Sequence, residues 1–403
     1  MNATPRLRIA VLNRQFGARF GGAERYSVAV AEQLAQRHEV HVFAQILEDL
    51  PPGVQGHRIA GPLAKPRWLN QLWFALASGW RTRRGFDVVH SHENTWHGQV
   101  QTVHVRPFRV GFFMNRTGWR RPLRWLQLLT SPRLLSYAAL EGARLRPHAG
   151  RCVVASSETV AQELIHAYPQ TAACLHTIAP GVQLPPALDA QERATQQAQA
   201  RQQLGLPADA TLVLFVGNDY LKKGLPALLQ ALALPEAAGL QLAVVGQPTH
   251  RAHCQALAQG LGVQARVHFL GSLADVGPAY RAANLLAHPT TEDTYAMVVL
   301  EAMAHGLPVV VSGPEHCGIA AELAADDALQ LQDPHDAQAL AAALTRIVAD
   351  PALAARLAER GRHWASQHSW AQAAQAYEQL YLQCAQATRA QTQAHKPEQT
   401  RGP

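Results

Sequence analysis

The stretch from His288 to Gly306 places polar and acidic residues where a strand gives way to a helix. The apolar run at 284–287 predicts the end of a buried strand, and a polar loop then leads into an apolar helix that stops at Gly306. Asp293 or Thr294 has a short side-chain oxygen that can accept free backbone N–H groups and cap the helix start. Loops that follow strand ends are where α/β folds bind their ligands.

Glu301 is the single charge within the apolar part of that helix. A buried carboxylate is costly unless something pairs with it, and a sugar or ribose hydroxyl is a suitable partner because it donates a hydrogen bond without a countercharge. The helix start also offers N–H groups and a positive dipole end to an anion. The stretch could therefore bind a phosphate and hydroxyls together, as in a nucleotide sugar. Alternatively, it is an ordinary strand–loop–helix corner in which Asp293 only caps the helix and Glu301 lies at its rim.

Two further loops have the composition of ligand-binding loops. Gly21 and Gly22 follow a predicted strand at 9–13 and precede a helix, and their missing Cβ atoms would let a ligand approach the backbone. This is not the GxGxxG pattern of dinucleotide-binding proteins, and a plain tight turn explains two glycines equally well. Lys222 and Lys223 follow another strand, where two lysines can clamp a diphosphate, although such pairs also occur in ordinary surface turns.

Four histidines lie in or beside a polar loop that follows a predicted strand at 87–92: His90, His92, His97 and His104. Their spacing is not that of a metal site, and each one alone is more often structural than catalytic. The loop nevertheless follows the carboxyl end of a strand, where doubly wound folds place their ligands.

The segment 106–146 is basic and carries many large apolar residues, with arginine and tryptophan interleaved between Trp119 and Trp125. Such interleaving suits the headgroup layer of a membrane or an anionic lipid-linked acceptor. Alternatively, the segment is a helical hairpin that packs tryptophan and leucine inward and leaves arginine outside.

The composition limits the partners and the compartment. The chain has 403 residues, 48% of them hydrophobic, and a net charge of +7, which suits a nucleotide diphosphate, an anionic membrane face or an acidic glycan. The charge is too small to indicate nucleic-acid binding, and no motif for it occurs. The five cysteines are scattered without a CxxC pair, which favours free thiols in a reducing compartment. We recognise no signal peptide and no membrane-spanning run, so we expect a cytoplasmic protein that touches a membrane, if at all, on the cytoplasmic face of the inner membrane.

Strands and helices alternate through both halves of the chain, which predicts an α/β architecture of parallel sheets covered by helices on both faces. A Pro-flanked, Gln/Ala-rich stretch at 186–204, with a helical part, is the predicted linker between an N-terminal domain, 1–185, and a C-terminal domain, 205–368. A final helix is predicted at 369–386, and the Gln/Thr/Lys-rich residues 387–403 are predicted to be disordered. Three aromatic residues share one face of that helix: Trp370, Tyr377 and Tyr381.

Several stretches, in this order, resemble the retaining glycosyltransferases of family 4, which have the GT-B fold: 20–25, 101–104, 179–182, 216–217 with 222–224, 283–289, 293–301 and 369–370. The likeness extends to about residue 384 and is strongest to bacterial lipopolysaccharide core enzymes that add glucose to a heptose, on 137–144, 216–224 and 286–289. The resemblance implies two doubly wound, Rossmann-like domains facing a central cleft. The first would bind the acceptor, the second the nucleotide sugar, and the final helix would cross back to the first.

The resemblance also assigns roles to single residues. Glu301 looks like the carboxylate that holds the ribose hydroxyls, and Lys223 with Lys222 looks like the diphosphate clamp. Gly21 and Gly22 look like the loop that closes on the diphosphate and acceptor. Backbone N–H groups would face the sugar and phosphate at three positions: Tyr295, Ala296 and Met297. The predicted catalytic residues are His104, which looks like a histidine near the transferred sugar, Lys223 and Asp293.

Two positions depart from the family pattern. The family has Glu-x7-Glu ending at Glu301, whereas position 293 is aspartate here, so the acidic group persists on an arm shorter by one methylene. We expect this change to alter the sugar preference or weaken the sugar contact. The arginine that usually follows the second-domain glycine is Asn218, and we expect Lys222 to compensate for it.

The resemblance implies transfer of a hexose, with glucose from UDP-glucose as the leading case, to a hydroxyl of a lipopolysaccharide core or related cell-surface glycan. The transfer would retain the anomeric configuration. No DxD motif is placed to hold the diphosphate, and the family works without one, so no metal and no other cofactor is expected. The alternatives are a transferase for exopolysaccharide or another lipid-linked glycan, and a catalytically silent GT-B scaffold protein. An oxidoreductase is disfavoured by the absent GxGxxG pattern.

Overall fold

The computed structural model describes five stretches of the chain: 5–17, 19–62, 65–113, 120–246 and 249–394. They form two compact units. One contains the residues up to Gly181 together with those from Trp370 onward, and the other contains Val182–Ser369.

The first unit is built on a seven-stranded sheet in which every neighbouring pair is parallel, in the order β5-β3-β1-β6-β7-β8-β9. Its strands, including the separate pair β2 and β4, are β1 Arg8–Leu12, β2 Gln15–Phe16, β3 Glu39–Ala44, β4 Ile46–Leu47, β5 Val54–Arg58, β6 Val88–Ser91, β7 Val100–Val103, β8 Cys152–Ala155 and β9 Leu175–Thr177. The first six helices are α1 Gly22–Ala35, α2 Arg67–Thr82, α3 Phe108–Phe113, α4 Arg120–Thr130, α5 Pro132–Arg144 and α6 Glu158–Ala167. The central strands are short apolar runs because helices cover both faces of a parallel sheet.

The second unit contains a six-stranded parallel sheet in the order β12-β11-β10-β13-β14-β15. Its strands are β10 Thr211–Val216, β11 Leu240–Val245, β12 Val267–Gly271, β13 Leu285–His288, β14 Val309–Ser312 and β15 Leu329–Leu331. Its helices are α7 Ala190–Leu204, α8 Leu225–Leu232, α9 Arg251–Gly260, α10 Gly277–Ala282, α11 Met297–Ala304, α12 Ala337–Ala349 and α13 Pro351–Ser366. Two doubly wound sheets match the predicted fold class.

The predicted linker is mostly a helix of the second unit. Helix α7 begins with a capping box between Asp189 and Glu192 and ends at Gly205 in the left-handed conformation. The buried guanidinium of Arg201 donates to the backbone oxygen of Ala282 at 2.9 Å. The helix is therefore packed against its own unit, and the division between the units falls before it, after Gly181.

The last helix, α14, runs Trp370–Ala394 and belongs to the first unit. The predicted disordered tail therefore cannot begin at residue 387, because the helix continues through that point. Residues 395–403, the rest of that tail, lie outside the described residues. Searched over the described residues, no helix is long and apolar enough to cross a membrane.

Buried hydroxyl groups join α14 to the sheet of the first unit. The hydroxyl of Tyr377 lies 2.9 Å from that of Tyr26 and 2.8 Å from Oγ1 of Thr102 on β7. One turn further along the helix, the hydroxyl of Tyr381 lies 2.6 Å from Nδ1 of His90. Nε2 of His90 bonds in turn to Thr102 at 2.7 Å. The aromatic face predicted for this helix thus carries a connected polar network within an apolar core.

The arginine- and tryptophan-rich segment 106–146 forms α3, α4 and α5, which pack against one another. Leu128 is buried, but the apolar side chains at Trp125, Leu126 and Leu129 are exposed, with Leu129 63% accessible. The hairpin interpretation, with tryptophan and leucine inward, is therefore wrong for these three residues. Trp119 lies outside the described residues.

Replacing Tyr377 by phenylalanine should destabilise the first unit by about 1–2 kcal/mol, because it removes a hydroxyl that bonds to two buried hydroxyls. Urea-unfolding midpoints of the purified variant and wild type measure this. Tyr137→Phe is the matched control, since that half-buried hydroxyl bonds to none of the described residues and its loss should leave the midpoint unchanged. Equal midpoints for Tyr377→Phe and wild type would show that the network does not hold the helix.

Candidate functional site

The strand order reverses once in each sheet, and several loops with predicted site residues follow the strands at those points. In the second sheet β10 lies between β11 and β13, and in the first sheet β1 lies between β3 and β6. At such a switch point the loops after two adjacent strands lead to opposite faces of the sheet and leave a crevice at their carboxyl ends. The loop with Lys222 and Lys223 follows β10, and the loop with Asp293 follows β13.

Backbone contacts hold these two loops of the second unit together. The backbone oxygen of Lys222 accepts from the amide of Thr291 at 2.8 Å and from the hydroxyl of Thr290 at 3.1 Å. Gly224 has φ of +80°, and a Cβ there would lie 1.8 Å from the backbone oxygen of Pro289. Glycine is therefore required for the lysine loop to approach the aspartate loop this closely.

The carboxylate of Asp293 is the centre of the site. Its Oδ2 accepts from Nζ of Lys223 at 2.6 Å and from Nε2 of His288 at 3.1 Å. Burial by itself raises the pKa of this carboxyl group, but the hydrogen bond from His288 and the charge of Lys223 outweigh it and hold the pKa well below its usual range. His288 is buried, and this burial lowers its pKa, so the imidazole donates as a neutral group.

The other oxygen of Asp293 accepts hydrogen bonds from two of the backbone N–H groups predicted to face a ligand. Oδ1 accepts from the amides of Tyr295 at 3.3 Å and Ala296 at 2.9 Å. Ala296 takes the left-handed conformation, and α11 begins only at Met297. This corrects the expectation that Tyr295 and Ala296 offer free N–H groups, because the aspartate caps them. The first helical positions, Met297 and Val298, still carry N–H groups that have no acceptor within the helix itself.

Glu301 is buried on α11 and has a protein partner that the sequence did not reveal. The hydroxyl of Tyr280, on α10, donates to its Oε2 at 2.6 Å. The ring of Tyr280 stacks on His305 at a centroid distance of 5.1 Å, which fixes its orientation. The carboxylate thus accepts a hydrogen bond from a hydroxyl, the kind of group that a sugar also presents.

The two lysines differ in their surroundings. Lys223 is largely buried and paired with Asp293, whereas Lys222 is exposed and lies 3.9 Å from Glu292. Lys222 is therefore free to move toward an anion, while Lys223 has a fixed position. Among the described residues, no group of three or more histidine, cysteine or acidic side chains could hold a metal ion.

In the first unit, Gly21 precedes α1 in an extended conformation, with φ of −179°. A Cβ at Gly21 would lie 2.8 Å from a carboxylate oxygen of Glu24, which folds back over the helix start. Burial raises the pKa of Glu24. Nearby, Nε of Arg14 bonds to Glu93 at 3.0 Å, which joins the loop after β1 to the loop after β6. The glycine loop thus lies at the switch point of its own sheet.

His104 follows β7 and stacks on His92, which follows β6. The rings are parallel within 8°, and Nδ1 of His92 lies 2.8 Å from Nε2 of His104. Burial, and to a smaller degree the charge of Arg144, lowers the pKa of His104 to about 3. Both imidazoles are therefore neutral near pH 7, and one of the two nitrogens in this contact carries the proton that joins them.

Three residues contact predicted site residues but were not themselves assigned to the site from the sequence: Tyr280, His288 and His92. His288 and His92 occur in stretches already identified, so their position at strand ends was a usable signal. Tyr280 lies 21 residues before Glu301 on another helix, and nothing in the sequence pairs the two.

Stability should fall as the pH is lowered from 7.5 to 5.5. The pKa of His104 is lowered in the folded state, so below pH 6.5 the unfolded chain binds a proton that the folded chain excludes, and the free energy of unfolding decreases with falling pH. At pH 5.5 this should amount to about 1 kcal/mol for His104 alone, with further losses from His90, His92 and His97, whose pKa values burial also lowers.

Urea unfolding of wild type and His104→Gln at both pH values measures that contribution. The variant should lose less stability on acidification than wild type by about this amount. His166→Gln, which removes an exposed histidine of the same unit, should behave as wild type. Identical pH dependence for wild type and His104→Gln would mean that His104 is not held neutral.

Comparisons with known proteins identify the family and the fold. Two family models match successive parts of the chain, Glycosyltransferase Family 4 at residues 20–184 and Glycosyl transferases group 1 at residues 196–364. The D-inositol 3-phosphate glycosyltransferase of Xylanimonas cellulosilytica is 30% identical over 90% of this chain and 92% of its own length.

Lipopolysaccharide glucosyltransferase WaaG of Escherichia coli is 36% identical over 41% of this chain and 44% of its own. A crystal structure of WaaG matches with a TM-score of 0.79 at 23% identity, covering 93% of this chain and 99% of that one. Anabaena Alr3699/HepE in complex with UDP-glucose matches with a TM-score of 0.70 at 19% identity, covering 95% of this chain and 100% of that one. The predicted fold is confirmed, and the chain belongs to glycosyltransferase family 4, with the GT-B fold.

Proposed function

We propose that this glycosyltransferase transfers glucose from UDP-glucose to a hydroxyl of a lipopolysaccharide core or related cell-surface glycan. The proposal that the donor substrate is a nucleotide sugar rests on charged side chains in the second unit. There a fixed cation, Lys223, lies in the loop after β10 and contacts the loop after β13, and a buried carboxylate, Glu301, lies on α11, the helix that follows this second loop. A nucleotide sugar has the complementary groups, a diphosphate and vicinal hydroxyls.

In this proposal Lys223, with Lys222 moving in from solvent, stabilises the negative charge that develops on the diphosphate as the glycosidic bond breaks. Preorganised charges contribute most at such a point because they need no reorganisation during the reaction. Asp293 keeps Lys223 in place through the 2.6 Å contact. Glu301 accepts hydrogen bonds from the ribose hydroxyls, beside the one it already accepts from Tyr280.

We further propose that the transfer retains the anomeric configuration and needs no metal ion, since lysine charge serves the diphosphate. His104 would lie near the transferred sugar as a neutral hydrogen-bonding group, oriented by His92. Gly21 and Gly22 would close on the diphosphate and acceptor. The choice of UDP and glucose is supported by the fold match to a protein solved with UDP-glucose.

The acceptor has two candidate classes. The similarity to WaaG, a glycosyltransferase involved in lipopolysaccharide biosynthesis, supports the glycan acceptor. The relative that matches over 90% of this chain is named for D-inositol 3-phosphate, which supports a small phosphorylated polyol as the second candidate. Turnover of UDP-glucose with a heptose-containing core oligosaccharide and with inositol phosphate, in parallel, distinguishes the two.

An anionic membrane surface is the proposed location of the acceptor, with the protein on its cytoplasmic side. Three apolar residues of α4 are exposed: Trp125, Leu126 and Leu129. Trp80 on α2 is also exposed, and both helices contact α5. No acidic residue occurs in α2 or at 106–140, and arginine is frequent in both. Exposed apolar groups among arginines suit a layer of anionic headgroups.

Glu301→Gln should weaken UDP-glucose binding by roughly 10-fold or more, because hydrogen bonds to a charged acceptor contribute about 1.5 kcal/mol or more. Calorimetric titration of the folded variant with UDP and UDP-glucose measures this, and a thermal-shift panel with UDP, GDP and ADP sugars tests the choice of base. Glu359→Gln, an exposed substitution on α13, is the control and should bind as wild type. Wild-type affinity and turnover in Glu301→Gln would remove Glu301 from the donor site.

The double substitution Leu126→Ser, Leu129→Ser should reduce binding to phosphatidylglycerol vesicles several-fold, because it removes apolar surface that would enter the headgroup layer. Vesicle co-sedimentation at low and high salt measures the bound fraction. Ile165→Ser replaces an apolar residue of α6 that is 41% exposed and should leave binding unchanged. Equal binding of all three proteins would leave α4 without a membrane role.

A further inference from the structure

Two cysteine thiols of the first unit lie in contact although 232 residues separate them in the chain. Sγ of Cys152, at the start of β8, lies 3.2 Å from Sγ of Cys384 on α14. Both are free thiols. This contact depends on the return of the final helix to the first unit, and no spacing in the sequence indicates it.

Rigid elements hold the pair in place from both sides. Cys152 is fixed by the parallel pairing of β8 with β7. Cys384 is part of α14, and its side chain is buried in the core of the first unit. The helix passes close to the loop before β8, since a Cβ on Gly150 would lie 3.6 Å from the backbone oxygen of Cys384. A disulfide needs sulfur atoms about 2.05 Å apart, so an approach of about 1 Å between the two sulfur atoms would close the bond.

We propose that Cys152 and Cys384 are a site of reversible oxidation at which a hydroperoxide closes a disulfide between β8 and α14. The proposal concerns this pair alone and does not depend on which donor or acceptor the enzyme uses.

The reaction balances with hydrogen peroxide as the oxidant. The thiolate of Cys152 attacks one peroxide oxygen, the O–O bond breaks, and the departing hydroxide takes up a proton to leave water and a sulfenic acid on Cys152. The sulfur of Cys384 then loses its proton and attacks the sulfenic sulfur, which releases a second water. The two thiols lose two electrons, and the peroxide gains them.

The surroundings assign the two roles. Cys152 is half-buried and open to a small oxidant, whereas Cys384 is 1% exposed. The hydrogen bond between the two sulfurs lowers the pKa of Cys152 and raises that of Cys384, which burial raises further. The thiolate therefore forms on the accessible sulfur, and the buried sulfur resolves the sulfenic acid.

The disulfide would tie α14 to the sheet beside the hydroxyl network of Tyr377 and Tyr381. A cross-link between residues so far apart in the chain restricts the unfolded state strongly. Oxidation should therefore raise the Tm of the first unit by roughly 5–10 °C.

The test treats the full chain with hydrogen peroxide, alkylates the remaining thiols in denaturant, and identifies cross-linked peptides by mass spectrometry. We expect the loss of two of the five thiols, a peptide pair joining Cys152 to Cys384, and recovery of all five with dithiothreitol. Differential scanning fluorimetry of oxidised and reduced protein should show the rise in Tm.

Cys174→Ser is the matched variant, because Cys174 lies near the pair and could compete for Cys152. This variant should form the same cross-link, whereas Cys152→Ser and Cys384→Ser should each form none. A Cys152–Cys174 bond in wild type, or Cys152 ending as sulfinic acid while Cys384 stays alkylated, would overturn the proposal. Because Cys174→Ser keeps both partners, its outcome decides the matter even if a serine at 384 impairs folding.

Discussion

The geometry of the second unit depends on one carboxylate, that of Asp293. Its two oxygens accept hydrogen bonds from the side chains of Lys223 and His288 and from the amides of Tyr295 and Ala296. Burial alone favours the neutral acid, so the charge persists only because these donors surround it. The dependence is mutual, because the same charge holds the lysine loop and the helix start at fixed positions. The strand order that brings β10 beside β13 is what makes this mutual arrangement possible.

In the first unit, the helix α14 comes from the C-terminal part of the chain and must be held on the sheet at a defined position. Apolar packing alone would let α14 slide along the sheet, since such contacts are not directional. The hydroxyls of Tyr377 and Tyr381 add directional bonds to Thr102 and His90, and those bonds form at one register only. Buried polar networks carry this specificity when every member is paired. These hydroxyl bonds also hold the helix against β6 and β7, the strands that lead into the loops with His92 and His104.

The sequence predicted the parts of the molecule that depend on local pattern. Alternation of strands and helices predicted both sheets, and an unpaired charge on an apolar helix identified Glu301 as a residue in need of a hydrogen-bond donor. The sequence could not identify the hydrogen-bond donor, because Tyr280, on α10, contacts Glu301, on α11, only in the folded unit. Helix α2 was not predicted. The packing of the helical part of the predicted linker against the second unit was not predicted either. Tertiary contacts, such as those of Arg201, decide whether a polar helix is a linker or part of a domain.

The shorter arm at position 293 changes what this residue can do. An aspartate oxygen reaches the amides two and three positions ahead, which is why Oδ1 caps Tyr295 and Ala296 while Oδ2 holds Lys223. A glutamate would carry its carboxylate about 1.5 Å farther from the backbone and could not make both sets of bonds at once. We therefore infer that the aspartate at this position supports the lysine and the helix start.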